Sequence, residues 1–202
     1  MLSTMAADPR LWQAQHPREA ARWLSDLSLP WWIAGGWALD LFAGDQARPH
    51  ADLDVGVLRR DVREVLAVLS SWDIFGAKHG LLTRLSAGTA PDADTHSLWC
   101  RAKHATCWSL EIMLDECDGA DWVYRRQPEI RYPLTSIVRR SPGGLPYLAP
   151  EIQLLYKARK PRERDQADFD RIAPRLDSAA RRWLHRALER SDPGHEWIRR
   201  LR

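Results

Sequence analysis

Ala34-Gly-Gly-Trp-Ala-Leu-Asp-Leu-Phe-Ala-Gly-Asp-Gln-Ala-Arg-Pro-His-Ala-Asp-Leu-Asp54, continued by Val-Gly-Val-Leu58, is the stretch whose reading decides the fold. Asp52 and Asp54 are two residues apart, and fifteen residues separate Asp52 from Gly36. In a β-strand, side chains at i and i+2 share a face. A strand over Ala51–Leu58 therefore sets the two carboxylates side by side and turns Leu53, Val55 and Val57 to the buried face. Paired carboxylates repel unless a cation lies between them. Oxygen ligands of this kind suit Mg²⁺, which is held by one or two carboxylates together with substrate phosphates. The glycine pair lets backbone N–H groups approach a phosphate closely.

The flanking sequence supports an α/β core. Trp31–Ala34 reads as a short apolar strand, and Trp37–Phe42 as a short helix ended by Gly44. Residues 8–27 read as a helix that Pro30 stops. Asp61 is placed to cap a helix with Val62, Val65, Leu66 and Leu69 on one face. Strand-like pieces follow near Phe75–Leu85 and Ser97–Ala102. In Cys107–Asp115 alternation puts Trp108, Leu110, Ile112 and Leu114 on one face and Glu111, Met113 and Asp115 on the other. Trp122–Arg126 and Glu129–Tyr132 read as further short strands. Pro142-Gly143-Gly144 is a turn, and Pro150 suits the first position of a helix. Asp177 and Ser178 can cap a last helix. The expected architecture is α+β: a mixed β-sheet flanked by helices over residues 1–140, then a helical subdomain over 141–202.

Composition narrows the classes. A chain of 202 residues with 45% hydrophobic content can bury a real core. No apolar run is long enough to span a bilayer, and Met1–Pro9 has no secretory pattern. Three cysteines, an odd number, argue against a disulfide framework and fit a cytoplasmic protein. The spacing of Cys100, His104 and Cys107 matches no usual zinc module. Thirteen arginines and lysines follow residue 158, a skew compatible with an acidic partner such as nucleotide or RNA. Interleaved acids and a general preference for arginine over lysine reduce its weight.

A two-metal phosphoryl-transfer site needs a third carboxylate. Glu111 is the first candidate, because it lies on the polar face of an otherwise apolar strand; Asp115 is the second. Each acid alone is unremarkable. The order carries the signal: strand, Gly-Gly, short helix, Asp-Leu-Asp strand, later acid-bearing strand.

In that order the chain resembles the nucleotidyltransferase superfamily with a polymerase-β-like fold. It is most similar to the aminoglycoside 2″-nucleotidyltransferase and lincosamide nucleotidyltransferase group. The close resemblance covers about residues 30–58 and extends loosely to Glu111. It implies that Gly35 and Gly36 contact the triphosphate of a bound NTP. Asp52 and Asp54 would then ligate Mg²⁺, and Glu111 would ligate a second Mg²⁺ or accept the proton of the attacking hydroxyl. Here the pair is Gly-Gly rather than Gly-Ser, so no serine hydroxyl reaches the phosphates.

Pro150–Phe169 resembles a second motif of related nucleotidyltransferases, in which a helical lysine faces the phosphates. That lysine would be Lys157, one of only four in the chain. Arg48 and His50, just before the acid strand, are further candidates to touch the nucleotide or orient a carboxylate.

The expected activity is Mg²⁺-dependent transfer of NMP, with ATP as default donor, to a hydroxyl of a small antibiotic-like acceptor. The alternatives are a toxin-type enzyme acting on tRNA or protein, and a non-catalytic nucleotide- or partner-binding relative. A polycationic antibiotic calls for an acidic cleft, whereas RNA calls for a basic groove and salt-sensitive binding.

Overall fold

The computed structural model describes residues 4–6, 8–86 and 88–202. The N-terminal reading of Met1–Pro9 therefore lies partly outside the described residues. In chain order the strands are β1 (Thr4–Ala6), β2 (Trp31–Ile33), β3 (Asp54–Leu58), β4 (Trp72–Lys78), β5 (Leu81–Arg84), β6 (Ser97–Ala102), β7 (Leu110–Asp118), β8 (Asp121–Val123), β9 (Arg131–Pro133), β10 (Val138–Arg140) and β11 (Pro146–Leu148). The helices are α1 (Pro17–Trp23), α2 (Gly35–Ala43), α3 (Val62–Val68), α4 (Pro150–Ala158), α5 (Glu163–Ile172), α6 (Ser178–Ser191) and α7 (Trp197–Arg200).

One mixed sheet runs in the order β1-β5-β4-β6-β7-β3-β2-β11-β10, with β8 added to β7 and β9 to β8. The α/β expectation holds. The central pair matters most: β3 and β7 are parallel, with Asp54 opposite Glu111 and Leu58 opposite Asp115. Val55 and Val57 of β3 and Leu110, Ile112 and Leu114 of β7 are buried, as are Leu98 and Cys100 of β6. Alternation thus puts the apolar residues of the central strands in the core and leaves Asp54 and Glu111 on the other face. Burying a Val, Leu or Ile side chain fully contributes about 1.5–3 kcal/mol, so this register is strongly fixed.

Local signals explain most element ends. Pro150 starts α4. Asp177 accepts the N–H groups of Ala179 and Ala180 at the start of α6, at 2.9 and 2.8 Å. Asp61 precedes α3, but its carboxylate makes no cap hydrogen bond.

Four expectations need correction. Residues 8–27 are not one helix. Pro9–Leu11 is a 3₁₀ turn, Trp12 makes a parallel bridge to Trp108, and only Pro17–Trp23 is α-helical. His16 in extended conformation caps the helix through its ring nitrogen. The helix after the glycine pair begins at Gly35 itself. The acid strand begins at Asp54, so Asp52 lies in a bend before it and not on the strand. Glu163–Ile172 and Trp197–Arg200 are helices that the periodicity of the sequence did not single out.

Candidate active site

Asp52, Asp54 and Glu111 converge: one carboxylate oxygen from each lies within 4.8 Å of the others. Asp54 and Glu111 are brought together by the parallel register of β3 and β7. Asp52 reaches the same spot from the bend before β3. Burial raises the Asp54 pKa well above the ordinary carboxylate value, and the charges of Glu111 and Asp52 raise it further. Burial likewise raises Glu111; the hydrogen bond from Ser97 acts against it, and the charge of Asp52 acts with it. Three crowded, half-desolvated carboxylates repel one another, and a divalent cation among them would offset that repulsion. The residues therefore fit the metal that the sequence motif implies.

Asp115 stands apart. It is buried four residues farther along β7, and the Tyr156 hydroxyl donates to it at 2.6 Å. Burial lifts its pKa to about 6, against the opposing hydrogen bond from Tyr156.

The glycine pair forms the first turn of α2; Gly35 packs onto Asp54, and Gly36 onto His50 and Arg48. Gly35 has φ +63, and a Cβ there would overlap the Asp54 carboxylate. Its N–H donates to Gln153 Oε1 of α4 at 2.7 Å. The amide expected to face a phosphate is thus held by a side chain in this structure. Gln153 is a residue of the candidate site that sequence reasoning missed. Its one signal is a polar side chain on the apolar face of α4, where it is buried.

The other candidates line one cleft of about 600 Å³ together with the three acids. His50 is buried, with Nε2 2.6 Å from Asp40 Oδ2, and its ring packs on Trp37. Asp40 is also bound by Arg171. The carboxylate that His50 orients is thus Asp40, in the middle of α2. Arg48 reaches Asp168 at 3.4 Å. Lys157 bridges Asp165 at 2.9 Å and Asp168 at 3.0 Å, nearly buried. Burial raises the Asp165 pKa, but hydrogen bonds from Arg162 and Lys157 outweigh it and hold the carboxyl far below its ordinary value. Lys157 still acts on the acids at a distance, since its charge opposes the rise at Asp54.

The sequence pattern of a known family, aminoglycoside-2''-adenylyltransferase, matches residues 18–172. The chain belongs to that family. It is a nucleotidyltransferase of an antibiotic-modifying group. Two solved structures, at TM-scores above 0.5, agree on the fold. The lincosamide antibiotic adenylyltransferase LnuA, solved with lincomycin bound, shares 17% identity at a TM-score of 0.53, over 79% of this chain and 97% of that one. The solution structure of the antibiotic-resistance factor ANT(2'')-Ia shares 13% identity at a TM-score of 0.57, over 92% of this chain and 95% of that one. A crystal structure of ANT(2")-Ia with adenylyl-2"-tobramycin matches at 13% identity and a TM-score of 0.48, over 91% of each chain. No curated protein matches the chain. Among the described residues no helix is long and apolar enough to cross a membrane.

Proposed function

We propose that this nucleotidyltransferase moves AMP from ATP to a hydroxyl of a small, antibiotic-like acceptor, with Mg²⁺, and releases pyrophosphate. The observation that carries the reading is the convergence of Asp54 and Glu111, on neighbouring strands, with Asp52 from the bend before β3, beside the first turn of α2. When bound, two Mg²⁺ ions held by these carboxylates neutralise charge on the phosphates. The chain's own residues do the rest. Gly35 brings the start of α2 against Asp54 with no side chain between them. Gln153 fixes that turn from α4. Lys157, Arg162 and Arg164 of the helical extension line the cleft and present positive charge to a triphosphate. Glu111, raised in pKa, either ligates the second ion or takes the proton from the attacking hydroxyl. Positioning and charge stabilisation account for catalysis.

A second reading has one observation behind it. Eight arginines and lysines line the cleft against five carboxylates, which favours an RNA 3′ end over a polycation as acceptor.

The test uses α-phosphate-labelled NTPs, Mg²⁺, and lincomycin, tobramycin or total tRNA as acceptor. Label moved to a drug, and lost in Asp52→Ala/Asp54→Ala, supports the first reading. Label moved to tRNA, with strong salt dependence, supports the second. Failure to bind MgATP in a folded sample removes both.

A further inference from the structure

Directly paired residues on neighbouring strands show their side chains on one face. One such row crosses the centre of the sheet: Phe75 opposite Trp99, Trp99 opposite Glu111, and Glu111 opposite Asp54. Trp99 is therefore the immediate neighbour of the third acid, on the side away from Asp54 and α2. It is half-buried and directly opposite Glu111 in the register of β6 and β7.

A second indole comes from outside the residues matched by the family pattern. Trp12 lies edge-on to Trp99, with ring centres 5.0 Å apart, and is also half-exposed. It is not a loose terminus. The Trp108 N–H donates to the Leu11 carbonyl at 2.7 Å, and the Gln13 N–H donates to the Trp108 carbonyl at 2.8 Å. Buried Trp108 backs Trp99 at 5.6 Å. Four residues on, His16 lies edge-on to Trp37, whose ring packs on His50 at the start of the acid segment. Residues 12–16 thus run between the Glu111 side and the glycine side of the reaction centre, pinned at both ends.

Neither indole lines the acid cleft itself; the wall adjoins that cleft at Glu111, and the charge of the cleft defines what meets both. Of the cations lining the cleft, Arg125, Arg126, Arg159, Lys160 and Arg164 have no carboxylate partner among the described residues. Arg125 is half-buried, and desolvation together with Arg126 lowers its pKa. Two divalent ions match the charge of a triphosphate, and the three site acids are then outnumbered by these five cations. A polycationic acceptor meets like charge there. Indole faces instead take rings with an apolar side.

We propose that Trp12 and Trp99 form the acceptor wall, and that the acceptor is an uncharged or singly charged ring compound. Its apolar face lies on the indoles while its hydroxyl meets Glu111. This rests on the adenylyl-transfer reading above.

The test is steady-state kinetics with MgATP, using lincomycin as the singly charged ring probe and tobramycin as the polycationic one. Wild type, Trp12→Ala, Trp12→Phe and Trp99→Phe are compared. The expected result is transfer to lincomycin and none to tobramycin. The lincomycin KM should rise about tenfold in Trp12→Ala and recover in Trp12→Phe, with the ATP KM unchanged. Transfer to tobramycin or tRNA instead, an unchanged lincomycin KM in Trp12→Ala, or MgATP binding without transfer to lincomycin each overturns the proposal. Loss of MgATP binding in folded wild type removes the underlying reading instead, so the two failures are distinct.

Discussion

Gly35 and Asp54 share a space that no side chain can enter: a Cβ on Gly35 would lie inside the Asp54 carboxylate. The backbone of Gly35 is also left-handed, with φ +63. A Gly35→Ala variant therefore bears about 1–2 kcal/mol of backbone strain and must displace Asp54 or the first turn of α2. Displacement of about 1 Å at a reacting centre costs about 100-fold in rate. The expected outcome is a kcat/KM lower by about that factor or more, with a melting temperature only a few degrees down. Near-normal kcat/KM in a folded Gly35→Ala protein would separate this contact from catalysis.

The mutual repulsion of Asp52, Asp54 and Glu111 makes the acid cluster a destabilising feature without a cation. Asp54→Asn should raise the melting temperature in chelator. In wild type, Mg²⁺ at a hundredfold excess over its Kd adds about 2.7 kcal/mol, about 5–10 °C for a chain of this size. In Asp54→Asn that gain should shrink to near zero. Calorimetric scans with and without Mg²⁺ read both effects. An equal Mg²⁺ shift in both proteins would place the ion elsewhere.

The legible parts of the chain were those that local chemistry decides. Apolar alternation over Leu110–Leu114 placed Glu111 on the correct face, and Pro150 and Asp177 marked true helix starts. Asp52 was harder to read. It belongs to a bend, so the two-residue spacing reaches the right carboxylates through the wrong backbone geometry. The N-terminal segment failed for a tertiary reason. Trp12 pairs with Trp108, ninety-six residues away, and that bridge overrides local helix propensity. Gln153, Trp12 and Trp99 act through long-range neighbours, and no spacing in the sequence reports those.

Asp115 gives a pH signature apart from the metal ligands. Its folded pKa is about 6 against an ordinary 3.8, because burial outweighs the hydrogen bond from Tyr156. The folded protein thus holds this proton more tightly than the unfolded chain. The resulting stabilisation is complete below pH about 4 and is lost as pH rises through about 6. Asp115→Asn keeps an acceptor for the Tyr156 hydroxyl and has no such loss. Relative to wild type, the variant should gain up to about 3 kcal/mol between pH 4 and pH 7. Urea unfolding at both pH values measures it; a constant difference would contradict the raised pKa.

Lys157 is held by two buried carboxylates, at 2.9 Å from Asp165 and 3.0 Å from Asp168, while lining the cleft that contains the acids. Its removal should therefore act twice. Breaking a buried ion pair from one side costs about 3–5 kcal/mol. Arg162 and Arg48 still reach the two aspartates, which keeps Lys157→Ala near the lower end, about 3 kcal/mol. The second effect appears only in kinetics. At a temperature well below unfolding, the ATP KM should rise about tenfold, the worth of roughly one charge-assisted hydrogen bond to phosphate, with the acceptor KM unchanged. A lowered melting temperature with an unaltered ATP KM would make Lys157 a structural cation that only positions α5 against α4.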